Sequence, residues 1–311
     1  ITGSGLYVKA QDSTSLDSGT HNLTNLAVEM TNAASYFTFT QTGTITVGTV
    51  DGVDGITTVG GDVTVVTNND LTLAKSITTG YTTGGATAGV VTLDASVGGA
   101  ITASTDATVT AQSLALRAMN NSSLLQGNNV REIAAVITNG SLAYKDTDAL
   151  DVGQVTVAVG NTTLGVLSGV DSSAGNGELY INNASGSLTL SQNINSGTAI
   201  TSLESASAIN QTGGAVTAGS LRLISGSDID LLQTGNDVGK LSASLSGGHL
   251  AYRDATAVTV DSITGTLGSG TLTTAGLDTS NGNREIFVDT NSQGLTIEQN
   301  ISAGTGIISL E

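Results

Sequence analysis

The chain has 311 residues, of which 41 are glycine, and it contains no proline, cysteine or tryptophan. The absence of cysteine excludes disulfides, thiol catalysis and cysteine-based zinc sites. A formal net charge of −17, with only nine basic residues, leaves no basic stripe for a nucleic acid and disfavours anionic membrane surfaces.

The chain begins ITGSGLYV, without methionine and without a basic-then-apolar signal segment. We therefore expect a processed product or a piece of a longer protein. No apolar run is long enough to span a bilayer, which predicts no membrane insertion.

The first third of the chain contains short runs in which apolar and polar residues alternate, such as VTVV at 63–66 and LTLA at 71–74. This alternation predicts strands with one buried face, separated by Gly, Asn, Asp and Ser turns. At 50–55 the sequence VDGVDG places Asp51 and Asp54 near glycines, superficially like a calcium loop. Both the EF-hand and the nonapeptide calcium patterns fail here, so solvated turn carboxylates are the favoured interpretation.

The later two thirds repeat themselves. GSLAYKD at 140–146 returns as GHLAYRD at 248–254, and residues 175–204 return at 282–311, 107 positions later. A more divergent copy lies upstream, where 61–80 resembles 177–197 and ASYFTFTQT at 34–42 resembles 140–148. The sequence therefore predicts just under three copies of a unit of about 107 residues, at approximately 1–108, 109–215 and 216–311, in one continuous β-solenoid over 1–311.

Short strands that persist while the gaps between them vary favour a parallel β-helix over a hairpin sandwich. We expect about five coils of some 21 residues in each unit. About 15 coils at about 4.8 Å each would make a rod on the order of 70 Å long. Asn193 with Asn300, and Gly197 with Gly304, are expected at tight corners where positive φ is useful.

The phrases LTLSQNINSGTAITSLESASAINQTGGAVTAGSLRL at 188–223 and LLQTGNDVGKLSASLSGG at 231–248 resemble the repeats of giant secreted bacterial exoproteins of the filamentous-haemagglutinin type. The resemblance covers nearly the whole chain and is specific for architecture, not for ligand. It implies a long right-handed β-helix displayed outside the cell, as an adhesin or a fibre shaft. The secretion domain of that family is not in this chain, and no Arg-Gly-Asp tripeptide occurs.

No residue is predicted to be catalytic, cofactor-binding or metal-ligating. The two histidines, His21 and His249, match no metal or catalytic spacing, so they are expected to be solvated turn residues. An active site is normally assembled once, so carboxylates that recur in every copy are expected at strand edges or turns. These are Asp62 with Glu178 and Glu285, Asp171 with Asp278, and Asp146 with Asp254.

The aromatic residues also recur, and they are predicted to pack at regular structural positions. They are Tyr36 and Phe37, Tyr144 with Tyr252, and Tyr180 with Phe287. A carbohydrate platform of exposed aromatic rings is the alternative. The basic neighbours drift, with Lys145 replaced by Arg253 and Arg131 by Gly239, which is typical of a solvated face.

The sequence as a whole predicts an extracellular, cell-surface structural protein: the β-solenoid shaft of a surface fibre or large adhesin, without catalysis or cofactor. The expected partners are copies of itself end to end, or further repeats of the same chain. One alternative is an adhesin module whose solenoid face binds cell-surface or host glycans. A second alternative, a β-helix enzyme that degrades polysaccharides, requires an unrepeated cluster of acids that the sequence does not contain.

Overall fold

A computed structural model of the chain describes residues 1–82, 89–159, 162–268 and 270–311, and every regular element in these ranges is a β-strand. The first eighteen strands are β1 Thr2–Ala10, β2 Thr14–Ala33, β3 Phe37–Gln41, β4 Ile45–Val47, β5 Thr49–Val50, β6 Val53–Asp54, β7 Ile56–Val59, β8 Val63–Thr67, β9 Leu71–Leu73, β10 Ile77–Thr78, β11 Val90–Ala95, β12 Ile101–Ala103, β13 Val109–Ala118, β14 Ser122–Ile137, β15 Leu142–Asp146, β16 Leu150–Val152, β17 Gln154–Val159 and β18 Thr162–Ser168. The others are β19 Val170–Asp171, β20 Leu179–Asn183, β21 Leu188–Leu190, β22 Ile194–Asn195, β23 Ile200–Ser205, β24 Ile209–Gln211, β25 Val216–Ser225, β26 Ile229–Leu231, β27 Asp237–Leu245, β28 Leu250–Arg253, β29 Val258–Val260, β30 Ser262–Gly265, β31 Leu272–Ala275, β32 Leu277–Asp278, β33 Ile286–Asp289, β34 Leu295–Ile297, β35 Ile301–Ser302 and β36 Ile308–Leu310.

The parallel, stacked strands form a β-solenoid of about 13 turns, which confirms the predicted fold class. The chain divides into two compact units. Unit 1 comprises 1–140 and 154–168, and unit 2 comprises 141–153 and 169–311. Each is described separately below.

Unit 2 shows the geometry of a turn. Strands β20, β21 and β22 form one turn, and β23, β24 and β25 pair with them in parallel, one above each. Successive register partners in one column lie 20 to 22 residues apart, at Leu179, Thr201, Leu221 and Leu241. Every second side chain points inward, because side chains alternate along a strand. The prediction of about 21 residues for a turn without an insertion is therefore confirmed.

Aliphatic ladders fill the interior of unit 2. The longest runs through Leu150, Leu188, Ile209, Ile229, Leu250, Ile286 and Ile308, each in register with the next. All of these except Ile308 are at most 2% exposed. Burial of one such side chain contributes about 1.5–3 kcal/mol, so the ladders are the main source of stability in this unit.

The sequence repeat does not contain a whole number of turns. Leu142 begins the column that reaches Leu241 after four turns. Its sequence equivalent Leu250 stands instead in the column of Leu150, one strand further around. With three strands to a turn, one repeat therefore spans about four and one third turns. Equivalent residues of the two copies in unit 2 lie on neighbouring faces, and the expected count of about 15 coils is slightly too high.

The difference in coil count arises from hairpins that leave the solenoid. Strands β17–β18 and β30–β31 are antiparallel pairs inserted at the same point of successive repeats, and β5–β6 is a shorter version. A backbone hydrogen bond closes the base of each hairpin. The N–H groups of Gly169, Gly276 and Gly55 donate to the carbonyl oxygens of Gly153 (2.8 Å), Asp261 (3.1 Å) and Gly48 (2.9 Å), respectively. These residues add to the length of the repeat without adding a turn.

In unit 1 the same parallel pairing links β3, β8, β11, β13 and β14. Inward-facing residues such as Phe37, Phe39, Val65 and Leu93 are completely buried. The hairpin β17–β18 lies on the outer face of β11, β13 and β14, where Val155, Val157 and Leu167 pack on Ala115 and Ala134.

Corner residues explain part of the repeat. Gly197 and Gly304 have φ values of 62° and 61°, as predicted. Asn193 and Asn300 immediately precede β22 and β35, but neither has the expected positive φ. The described asparagines that do are Asn176 (49°), Asn283 (50°) and Asn291 (50°). The Oδ1 atom of Asn176 accepts the backbone N–H of Thr198 in the next turn (2.9 Å), and Asn283 does the same with Thr305 (3.0 Å).

Candidate functional site

The carboxylate position shared by all three copies has a backbone role. The carbonyl oxygen of Asp62 accepts the N–H of Phe37 (2.8 Å), and those of Glu178 and Glu285 accept the N–H groups of Leu142 and Leu250 (3.0 Å each). Each therefore links two adjacent turns by its main chain, and the Asp62 side chain also accepts the backbone N–H of Val90 (2.8 Å). The interpretation as a strand-edge position is confirmed.

Asp171 and Asp278 also occupy equivalent turns. The Oδ1 atom of each accepts the backbone N–H of the serine two residues later, at 2.8 Å in both copies. This is a local side-chain turn of the kind that aspartate favours. Asp51 lies at a tight hairpin turn with φ of 52°, followed by Gly52 at 78°, so VDGVDG forms the β5–β6 hairpin.

Asp146 and Asp254 are buried, which the sequence did not indicate. In one copy Tyr144 Oη donates to Asp146 Oδ2 (2.7 Å), and in the next Tyr252 donates to Asp254. All four side chains face inward and are completely buried. Burial raises the pKa of Asp146 to about 7, against the lowering effect of its hydrogen bond from Tyr144. Burial raises the pKa of Asp254 as well, and the pKa of each tyrosine lies well above its ordinary value.

The recurring aromatic residues fall into two classes. Phe37, Tyr144 and Tyr252 point into the solenoid and are completely buried, which confirms their structural role. Tyr180 and its equivalent Phe287 point outward; Tyr180 is buried and Phe287 is half-buried, as is Tyr36, which precedes β3. These buried rings cannot serve as the exposed carbohydrate platform.

His21 differs from the expectation of a solvated turn residue, whereas His249 lies in the turn before β28 with its side chain 40% exposed. His21 lies within β2, is 8% exposed and stacks on Phe39 with ring centres 5.5 Å apart. His249 precedes β28 and contacts Asp228 (3.0 Å) and Asp230 (2.9 Å). Burial lowers the pKa of His249, but the hydrogen bond that its ring donates to Asp230, together with the charges of the nearby carboxylates, outweighs this effect, so the pKa is raised.

In unit 2 the hairpin β30–β31 covers a polar surface. Tyr180, Ser202, Arg222 and Ser242 stand side by side in register on the outer face, and all are at most 4% exposed. Gly268 lies against the Tyr180 ring, where an added Cβ would come within 2.6 Å.

A charged network fastens this hairpin. Arg222 Nη1 donates to Glu204 Oε1 (2.6 Å) and its Nε donates to Thr274 Oγ1 (2.9 Å). Glu204 also accepts from Tyr180 Oη (2.9 Å), and burial with the Glu204 charge raises the pKa of Tyr180 to about 12. At the other end, Glu178 accepts the backbone N–H of Thr266 (2.8 Å). The charged groups of this network are hydrogen-bonded to one another or to the hairpin, so the network holds the hairpin in place.

In unit 1 the hairpin β17–β18 leaves a cavity of about 330 Å³ beside it, lined by Ser96, Arg117, Val136, Thr138 and Leu167. Arg117 Nε is buried and has no hydrogen-bond acceptor in the described part of the chain. Sequence reasoning missed this cavity, because its walls lie up to 71 positions apart and recur in no other copy.

Within the described ranges, no three His, Asp or Glu side chains are arranged to hold a metal ion. The described residues also contain no helix that is long and apolar enough to cross a membrane.

Comparison with protein-family models, with curated proteins and with solved structures finds no match. The likeness to exoproteins of the filamentous-haemagglutinin type therefore rests on the sequence phrases alone and stays a prediction.

Proposed function

We propose that this chain is a non-catalytic structural segment, the β-solenoid shaft of an extracellular surface fibre or large adhesin. The observation that carries the proposal is the role of the recurring residues. Leucines and isoleucines form buried ladders, glycines and asparagines turn corners, and the shared acidic position links turns by its main chain. None of these recurring residues forms a pocket that is repeated from copy to copy, so the repeat serves to build the solenoid.

The physical basis of the shaft is coil-on-coil pairing. In both units, parallel backbone hydrogen bonds join each turn to the next, and loads along the stack are shared among many such bonds. The hairpin network of Arg222, Glu204 and Thr274 adds a fastening across several turns.

The proposed partner is a further turn of the same repeat, because parallel pairing joins each turn of unit 2 to the next. In the interior of the unit, Leu190, Thr201 and Leu203 are at most 1% exposed beneath the turn that follows them. We propose that another copy of this repeat covers their equivalents Ile297, Ile308 and Leu310 in the same way. Sedimentation of the 311-residue chain tests this, with Ile308→Lys as the comparison variant, because Ile308 lies in the proposed contact and is 44% exposed. We expect concentration-dependent self-association that the substitution reduces. A chain that stays monomeric in both forms contradicts the proposed contact.

Immunogold labelling of intact source cells, paired with protease treatment of the cell surface, tests the proposed location. We expect label on surface fibres and loss of the label after proteolysis. Label confined to the cytoplasm contradicts the shaft. Incubation with acidic and neutral polysaccharides tests the absence of catalysis, and a fall in polymer size would favour the enzyme alternative.

A further inference from the structure

We propose that the cavity beside the β17–β18 hairpin of unit 1 binds a hexuronate, a sugar ring that bears a carboxylate. This inference goes beyond the shaft role and does not depend on it. It concerns a single site on the outer face, formed by Ser96, Arg117, Val136, Thr138 and Leu167.

The first argument is the state of Arg117. Its Nε atom is buried without an acceptor, although Arg222, Arg253 and three lysines of the described chain pair with carboxylates. Arg117 forms no ion pair among the described residues, and because its Nε atom is enclosed, an outside carboxylate can reach the guanidinium group only at its two Nη atoms. The guanidinium group offers a planar fork that matches a carboxylate with two parallel hydrogen bonds.

The second argument is the rest of the lining. Val136, which is 36% exposed, and Leu167 supply an apolar wall against which the C–H face of a pyranose ring can pack. Ser96 and Thr138 supply hydroxyl groups that can both donate and accept, as a sugar requires. A volume of about 330 Å³ lies at the small end of ligand sites, which suits one ring.

The third argument is that the hairpin side of the cavity is held in place by packing, without a ligand. Val155, Val157 and Leu167 pack on Ala115 and Ala134, and all five are at most 5% exposed. At the base of the hairpin, the Gln154 backbone N–H donates to Glu132 Oε1 (2.8 Å). The cavity is therefore held open by the fold itself.

One nearby charge limits the affinity. Asp94 stands opposite Arg117 in the strand register, but its Oδ1 accepts the backbone N–H of Ser96 (2.9 Å) and it forms no ion pair with Arg117 among the described residues. A bound carboxylate would be repelled by Asp94 through partly screened Coulomb interaction. We therefore expect a dissociation constant for one sugar in the millimolar range.

Titration calorimetry with sodium D-glucuronate tests the assignment, with D-glucose and inorganic sulfate as comparison probes. We expect glucuronate to bind at least about tenfold more tightly than glucose, because a charge-assisted pair is lost with glucose. Equal binding of glucose and glucuronate overturns the role of the carboxylate. Sulfate binding as tight as glucuronate overturns the role of the sugar ring.

Three variants locate the site. Arg117→Gln should weaken glucuronate binding at least about tenfold, and Asp94→Asn, which keeps the acceptor for Ser96, should strengthen it roughly threefold. Arg131→Gln is the matched control, because Arg131 is an exposed arginine on the neighbouring strand outside the cavity, and it should bind like the parent chain. Equal losses in the Arg117 and Arg131 variants, or no effect of Asp94→Asn, contradict the proposal. If Arg117→Gln does not fold, the probe comparison and the Asp94 variant still decide.

Discussion

Replacing Asp146 by asparagine should convert a pH-dependent position of the solenoid into a pH-independent one. Asp146 is completely buried, and burial raises its pKa to about 7 from an ordinary value of 3.8. Asparagine has nearly the same shape, and like the protonated acid it carries no charge. The substitution therefore removes ionisation while it keeps a side-chain oxygen for the backbone N–H groups of Thr147 (2.8 Å) and Asp148 (3.2 Å).

The sign and size follow from proton linkage. Because the folded state binds the proton of Asp146 more tightly than the unfolded chain does, this group stabilises the fold below about pH 4, and that contribution is lost as the pH rises to about 7. A shift of about three units at 1.36 kcal/mol each sets an upper limit of about 4 kcal/mol. We expect Asp146→Asn to be within about 1 kcal/mol of the parent chain at pH 4, where both are neutral, and more stable at pH 8 by up to about 4 kcal/mol.

Urea unfolding followed by circular dichroism at pH 4, 6 and 8 measures the difference between the two chains. Carboxylates remote from residue 146 are the same in both chains and cancel in the difference. Asp171→Asn, which makes the same substitution at a half-buried corner, is measured beside it as the control. If the advantage of Asp146→Asn is the same at pH 4 and pH 8, the carboxylate is not held neutral by burial and the reasoning fails.

Two further substitutions test the corner and the hairpin network. Gly169→Ala should lower the free energy of unfolding by about 2–4 kcal/mol, because φ is 71° and the new Cβ would come within 2.1 Å of the Asn193 carbonyl oxygen. Gly19→Ala, with φ of 69° and open space around it, should cost only about 1 kcal/mol in the same urea assay. Equal losses in the two variants would show that the close approach has no effect. Arg222→Met should cost about 2–4 kcal/mol, because it leaves Glu204 with one fewer donor in a poorly solvated site, and it should speed amide exchange in residues 262–275. The double variant with Glu204→Gln should recover part of that loss, whereas additive losses would contradict a coupled pair.

Much of the fold could be predicted from residue order alone. The alternation in VTVV and LTLS identified strands with one buried face, and the return of Leu188 as Leu295 and of Ile194 as Ile301 identified a solenoid repeat. The shared position of Asp62, Glu178 and Glu285 was correctly interpreted as structural, because a carboxylate needed once would not recur at the same point of each copy.

The candidate site could not be predicted in the same way. Ser96, Arg117 and Leu167 lie together only because an antiparallel hairpin folds back over strands β11, β13 and β14. The spacing of residues in the sequence does not predict where the hairpin packs. Burial of Asp146 was missed for a related reason. Aspartate is a residue type that loops favour, so the end of LAYKD was expected to be exposed. Only the path of the next turn of the solenoid encloses this side chain.

The sequence by itself determined which side chains alternate inward, where the chain turns, and that one unit of about 107 residues recurs, since these depend on a period of two residues and on local turn chemistry. Only the tertiary structure decided that each repeat advances by about four and one third turns, that equivalent residues in unit 2 lie on neighbouring faces, and that each long hairpin covers an outer face of its unit. The physical reason is that hairpins of 14 or 15 residues do not alter the alternation of apolar and polar residues in the strands around them. They do alter which distant strands come to lie in the same turn of the solenoid.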